Sequence, residues 1–265
     1  MRHHRPSTRS SGGSVSEEAI ERAEYHADGG GPSGHTAAAL RFAAIVPALN
    51  CVATIASVVE GARTHVDAVL VIDDGSGDDT GDAARAAGAA VMRHDQRQGK
   101  GAALDDGLAW AAQHGFTHVI AIDGDGQHLS DEIPVMLEAA RSEPSAVILG
   151  ERRRDEHDIS PMKLFGNRFA NRWVEIASGV AFEDTQSGFR VYPVAATRAL
   201  GAYASHYGFE TEVLIRAVRT GMPVRCVPVR VYYPPAQTRV SYYRPWIDTI
   251  RIIFIVLGLI FRLRR

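Results

Sequence analysis

Val119-Ile120-Ala121-Ile122-Asp123-Gly124-Asp125-Gly126-Gln127-His128 is the stretch on which the reading of this chain turns. Four apolar residues running into glycine and acid read as a buried strand of a parallel sheet, and open α/β sheets bind ligands beyond the carboxyl ends of such strands. Asp123 and Asp125, one glycine apart, leave that strand end together. Hard carboxylate oxygens on one side of a tight turn suit Mg²⁺ or Mn²⁺ shared with phosphate oxygens, and Gln127 can add a neutral oxygen. The same acids also fit a turn that caps a helix beginning near Ser130-Asp131-Glu132. Their place directly after an apolar strand favours the metal.

Outward from this stretch the pattern alternates. Upstream, Ala43 to Val46 reads as a strand, Thr54 to Arg63 as an amphipathic helix, and Ala68 to Ile72 as a strand running into a second acidic end, Asp73-Asp74-Gly75-Ser76. A short helix over Asp82 to Ala87, a strand over Ala90 to Met92 and a helix over Gly101 to His114 lead to the central strand, His118 to Ile122. Downstream come a helix over Asp131 to Arg141 and a strand over Ala146 to Leu149. Strands separated by helices imply right-handed crossovers, hence an α/β fold with a Rossmann-like, mostly parallel sheet and helices on both faces. The alternation then loosens. Glu151 to Glu156 reads as a solvated charged loop, Lys163 to Gly179 as a helix, Val191-Tyr192 as a strand with a helix from Pro193, Glu210 and Glu212 as part of a further helix, and Val224 to Tyr232 as a strand near the sheet edge.

The chain has 265 residues, enough for a full core, and a formal net charge of -2, which argues against a nucleic-acid surface. Cys51 and Cys226 are too few for a disulfide framework; they read as small packing residues in a reducing, cytoplasmic setting. Residues 1–40 are rich in Gly, Ser and His without apolar periodicity and read as a disordered tail, with no apolar core of a secretory signal. Residues 236–265 read as a basic loop and an amphipathic helix. Its apolar run, Ile252 to Phe261, is far short of the ~20 residues that span a bilayer. With Trp246 at one end and Arg262, Arg264 and Arg265 at the other, it suits a helix lying on an anionic membrane surface; docking on its own domain or on a homo-oligomer partner is the alternative.

Six motifs in order carry a resemblance. They are Pro47-x-x-Asn50, Asp73-Asp74-Gly75-Ser76, Gly99-Lys100-Gly101-Ala102-Ala103, Asp123-Gly124-Asp125-Gly126-Gln127-His128, Asp184-x-x-Ser187-Gly188-Phe189-Arg190 and Phe209-Glu210-Thr211-Glu212. Over Phe42 to Trp246 the chain resembles the family 2 glycosyltransferases of the GT-A fold, most of all the dolichyl- or polyprenyl-phosphate sugar synthase branch. Spacing alone implies a phosphate-and-metal site; the sugar chemistry comes from the resemblance. It implies a domain over 41–235 that binds a nucleotide-sugar donor, with Pro47, Leu49, Asn50 and Asp73 bordering base and ribose. Lys100 and Gly124 would lie near the donor, and Asp123, Asp125 and Gln127 would hold the divalent cation on the diphosphate.

The implied reaction is inverting displacement at the anomeric carbon with loss of a nucleoside diphosphate. A lipid-phosphate acceptor such as polyprenyl phosphate needs cations rather than a base. Arg190 is the first choice for a forked phosphate contact, with Arg168 and Arg239 as further candidates. A hydroxyl acceptor, on a lipid or secondary metabolite, would instead need Asp184 as base. Two residues depart from the branch: Cys51 stands where it commonly has glutamate, and Tyr242 where it commonly has lysine. The resulting expectation is a peripheral enzyme on the cytoplasmic face of the membrane. Its rivals are a nucleotidyltransferase, which would want a Gly-rich basic loop after the first strand, and a donor-binding module without catalysis.

Overall fold

The computed structural model describes residues 39–152, 161–202 and 208–232, with the side chains of 161–165 outside that description. Residues 1–38 of the tail and the whole 236–265 segment, Arg239 included, therefore lie outside the described residues.

The chain enters the sheet at β1 (Phe42–Ala48), followed by α1 (Ile55–Arg63), β2 (Ala68–Asp73), α2 (Thr80–Ala86), β3 (Ala90–Arg93), α3 (Lys100–Gln113) and β4 (His118–Ala121). A 3₁₀ turn (Ser130–Glu132) opens α4 (Ile133–Ser142), and β5 (Val147–Arg152), α5 (Pro161–Ser178), β6 (Arg190–Pro193), α6 (Val194–Ala199), α7 (Gly208–Arg219) and β7 (Val224–Val229) complete the order. The strands form one seven-stranded sheet in the order β3-β2-β1-β4-β6-β5-β7. β3, β2, β1 and β4 are mutually parallel, β6 runs antiparallel to β4 and β5, and β7 lies parallel to β5 at the edge.

Strand alternation divides the core. Phe42, Ala44, Val46 and Ala48 of β1 face one way, into a cluster with Ile55 and Val59 of α1 and Met136 and Leu137 of α4. Ala43 and Ile45 face the other way, against Leu104 and Leu108 of α3 and Val213 and Leu214 of α7. Both faces of the central strands are thus buried, which is why they read as continuous apolar runs rather than alternating ones. α3 approaches β1 closely enough that a Cβ on Gly107 would sit 2.6 Å from Ile45 Cγ2.

One expectation is corrected here. The charged run at Glu151 is not wholly a solvated loop, because β5 continues in register with β7 through Arg152. Residues 153–160 lie outside the described residues.

Candidate active site

Because β2, β1 and β4 are parallel neighbours, the loops after all three open on the same edge of the sheet. Side chains sew these loops together. Asn50 adopts a left-handed φ of 51°, which asparagine tolerates, and its Oδ1 accepts from Gly77 N at 2.8 Å while its own N–H donates to Ser76 Oγ at 3.0 Å. Cys51 N donates to Thr80 Oγ1 at 2.8 Å, and Thr54 Oγ1 donates to Gly124 O at 2.6 Å. Gly124 is tightly enclosed: a Cβ there would lie 3.3 Å from both Pro47 O and Ala48 Cβ.

The turn after β4 carries the charge. Asp123 Oδ1 lies 2.5 Å from Lys100 Nζ, and that ammonium also lies 3.1 Å from Glu210 Oε1. Glu210 Oε1 is buried without a well-directed hydrogen bond, so the Lys100 charge is what balances it. Burial opposes the Asp123 charge, but Lys100, with His128 and Arg152 nearby, holds its carboxyl down at about 2. Asp125 behaves in the opposite way: burial and the charge of Asp123 raise it to about 6. Its two oxygens accept from Gln127 N at 3.0 Å and Gln127 Nε2 at 2.6 Å. His128 stacks on Phe189 with centroids 4.9 Å apart, and its Nδ1 accepts from Asp123 N at 3.2 Å. Burial lowers that imidazole to about 4, so the ring is neutral with its proton on Nε2.

A second polar shell comes from the far half of the sheet. Arg152, at the end of β5, forks onto Asp184 with Nε–Oδ2 at 2.6 Å and Nη2–Oδ1 at 2.8 Å. Asn171 on α5 accepts from Thr185 N and Oγ1 at 3.1 and 2.6 Å and donates to Glu183 O at 2.6 Å. Gly188 leaves room for the charge centre, since a Cβ there would strike Lys100 Nζ and lie 2.7 Å from Asp123 Oδ2.

An acidic turn beside a half-buried lysine thus lies at the carboxyl ends of parallel strands, where open α/β sheets bind ligands, and residues 43–198 match the model of glycosyl transferase family 2. The chain belongs to that family. Among its relatives is the undecaprenyl-phosphate mannosyltransferase of Micrococcus luteus, 27% identical over 208 residues that cover 72% of this chain and 83% of that one. Another is the polyprenol monophosphomannose synthase of Mycolicibacterium smegmatis, 30% identical over 173 residues, 61% of this chain and 65% of that one. In three dimensions the chain resembles glucosyl-3-phosphoglycerate synthase of Mycobacterium tuberculosis in complex with Mn²⁺, UDP and glucosyl-3-phosphoglycerate. The TM-score is 0.61 at 25% identity, covering 84% of this chain and 80% of that one. The GT-A architecture is thus the fold of this glycosyltransferase.

Of the residues expected at the site, Pro47, Leu49, Asn50, Lys100, Asp123, Gly124, Asp125 and Gln127 lie at or beside the three strand ends. Gln127 turns its amide nitrogen to Asp125 and so orients that carboxylate. Asp73 is fully buried; its oxygens accept from Ser76 N at 2.8 Å and Arg93 Nη1 at 2.6 Å, so it shapes the second turn from beneath. Arg190 is a correction. It is fully buried, and its guanidinium donates to the carbonyls of Ser187, Glu210 and Thr185 at 2.8, 2.7 and 2.8 Å. Those bonds spend its fork on the backbone, and it fastens the 185–190 segment to α7 instead of meeting a phosphate. Arg168 is exposed on α5, one turn before Asn171 and on the same face. Sequence reasoning passed over Arg152, Arg93 and His94. The first was hidden in a charge run; Arg93 ends the short strand β3 and His94 follows it, with no pattern of their own. Both cysteines are free, half-buried thiols, raised by burial to about 11 for Cys51 and about 12 for Cys226, as packing residues are.

Proposed function

We propose that this glycosyltransferase moves a sugar, with inversion, from a nucleoside-diphosphate sugar held with Mg²⁺ or Mn²⁺ to a polyprenyl-type lipid phosphate at the cytoplasmic face of a membrane. The loops at Pro47 to Asn50 and Asp73 to Ser76 border the base and ribose.

The donor set fits a divalent cation. Two carboxylates share one turn, and Asp125 is raised by burial and then by the charge of Asp123, whose partner Lys100 also answers to Glu210. Among the described residues no group of three or more His, Cys, Asp or Glu could hold a metal by itself. A site with two carboxylates leaves positions for water and diphosphate oxygens, as Mg²⁺ and Mn²⁺ sites in phosphoryl-handling enzymes do. The cation, when bound, neutralises the leaving diphosphate as a Lewis acid. Lys100 sits against Asp123 where it can follow the diphosphate charge, and Gln127 keeps Asp125 turned to the cation.

The observation that carries the acceptor class is the Arg152–Asp184 fork. A carboxylate bound on both oxygens by a guanidinium is a poor general base, which disfavours the hydroxyl acceptor. An anionic phosphate needs no base, and Arg168 on the neighbouring helix and Arg239 further along the chain are the candidate cations for it. The relatives named for undecaprenyl phosphate and polyprenol point the same way.

The test is release of nucleoside diphosphate from a panel of sugar nucleotides with Mg²⁺ or Mn²⁺, in liposomes with and without polyprenyl phosphate. Release that requires both the metal and the lipid phosphate is expected. Release only with hydroxyl acceptors would overturn the acceptor, and no release from any donor would overturn the reaction.

A further inference from the structure

The buried imidazole of His94 lies outside the charge centre yet is wired to it. We propose that His94 is a positioning residue for donor binding: as an imidazolium clasped between Asp74 and Asp106, it fixes the 95–99 segment and thereby the place of Lys100. The proposal rests on the donor reading above.

His94 follows β3, and its backbone N–H donates to Asp73 O at 2.9 Å. Its Nδ1 lies 2.8 Å from Asp74 Oδ1, at the end of β2, and its Nε2 lies 3.0 Å from Asp106 Oδ2, on α3. These two carboxylates are the charged groups that face it from the elements packed around it. Neither can donate when ionised, so both ring nitrogens must carry hydrogen for both contacts to hold. A neutral ring would set a lone pair against one of the acids.

Asp74 passes this order on. Besides His94 it accepts from Gln98 N at 2.7 Å and Gly99 N at 2.8 Å. Gly99 stands in the left-handed region with φ 97° and hands the chain to α3, whose first residue is Lys100. Lys100 Nζ then reaches Asp123 and Glu210. Asp106 fixes the ring from the same helix, about one and two-thirds turns further on. The clasp therefore sets both the start of α3 and its distance from the β2 end, and from that start Lys100 reaches Asp123 in the turn after β4. The hydrogen bonds to Asp106 and then Asp74 outweigh burial and raise the imidazole to about 9, so the clasp is closed at neutral pH.

The test uses the full chain, with Mg²⁺ present and UDP and GDP as probes. Binding is measured by calorimetry from pH 6.5 to 10 for the wild type, His94→Gln and Asp106→Asn. Wild-type Kd should hold steady to about pH 8 and then weaken about tenfold as the ring loses its proton. His94→Gln should bind about tenfold more weakly throughout and lack the alkaline weakening, since it cannot serve both acids or titrate. Asp106→Asn removes one half-exposed acid and keeps its shape; it should move the weakening about one pH unit down. The imidazole nitrogen shifts of His94 should report the same displacement. A merely structural clasp would lower thermal stability while leaving the position of the pH limb unchanged in Asp106→Asn, and that result overturns the proposal, as does wild-type affinity in His94→Gln. Failure of the wild type to bind either nucleotide would instead remove the donor reading and this inference with it.

Discussion

Asp125 is the residue at which the proposed cation role and stability oppose each other most directly. Its carboxyl is raised from 3.8 to about 6 by burial and by Asp123. For a carboxylate whose folded pKa lies above its unfolded value, the sign is the reverse of the usual one. Ionisation costs stability above about pH 6, and the metal-free protein gains stability from this group as pH falls from 7 toward 4. Asp125→Asn fixes the neutral state at every pH. With chelator at pH 7.5 it should be more stable than the wild type by on the order of 1 kcal/mol, while nucleoside diphosphate release falls at least about a thousandfold. Thermal melts in chelator and the release assay check the two halves; a variant that keeps its turnover would remove the metal turn from the reaction. The acidic turn that carries Asp125 was legible as a strand end because an apolar strand, a glycine and two acids occur in one line. Arg190 and Arg152 were not legible in the same way. Sequence shows which residues are cationic, but whether a guanidinium spends its donors on three carbonyls, as Arg190 does, depends on segments that meet only in the fold.

At the scale of elements, α3 does the most for the site, because it carries Asp106 and Lys100 and packs flush on β1. That packing depends on Gly107, whose missing side chain lets the helix approach Ile45. Alanine would favour the helix by about 1 kcal/mol, but its Cβ would lie 2.6 and 2.8 Å from two carbons of a fully buried isoleucine. Overpacking of that kind costs about 1–3 kcal/mol, so the clash wins. Gly107→Ala should lower the melting temperature by a few degrees and weaken nucleoside diphosphate binding as Lys100 shifts with its helix; an unchanged melt would mean the helix slides freely. The helices and strands themselves were largely legible, with Ala68 to Ile72 read against β2 at Ala68–Asp73 and Thr54 to Arg63 against α1 at Ile55–Arg63. What periodicity does not show is direction and order. β6 lies antiparallel between β4 and β5, a placement set by long-range pairing rather than by Val191-Tyr192 themselves. The end of β5 was hidden for a related reason, since Arg152 is a strand residue only because β7 pairs with it and Asp184 receives its charge.

For the molecule as a whole, the sheet is polarised: helices cover both faces, and the chemistry gathers at one edge. The edge strand β7 leads out past that chemistry. Arg230 pairs with Glu132, Val231 bridges to His128, and Tyr232 N donates to Gln127 O at 2.8 Å, so the described residues end beside the acidic turn after β4. No helix among the described residues is long and apolar enough to cross a membrane. The proposed lipid-phosphate acceptor would be met at a membrane surface, and the sequence beyond Tyr232 offers Trp246, the apolar run Ile252 to Phe261 and three arginines at 262, 264 and 265. Each basic residue near an anionic surface contributes about 1 kcal/mol, and salt screens that attraction. Deleting Trp246 to Arg265 should therefore weaken binding to anionic liposomes at least about tenfold at low salt, with a smaller difference at high salt. Affinity for a soluble nucleoside diphosphate should stay within about twofold, since the strand ends that border it lie before Tyr232, while sugar transfer to polyprenyl phosphate in liposomes should fall with membrane binding. Cosedimentation, calorimetry and the release assay separate these effects. Liposome binding that survives the deletion would sink the interfacial helix, and nucleotide binding lost along with it would place residues 246–265 within the donor domain.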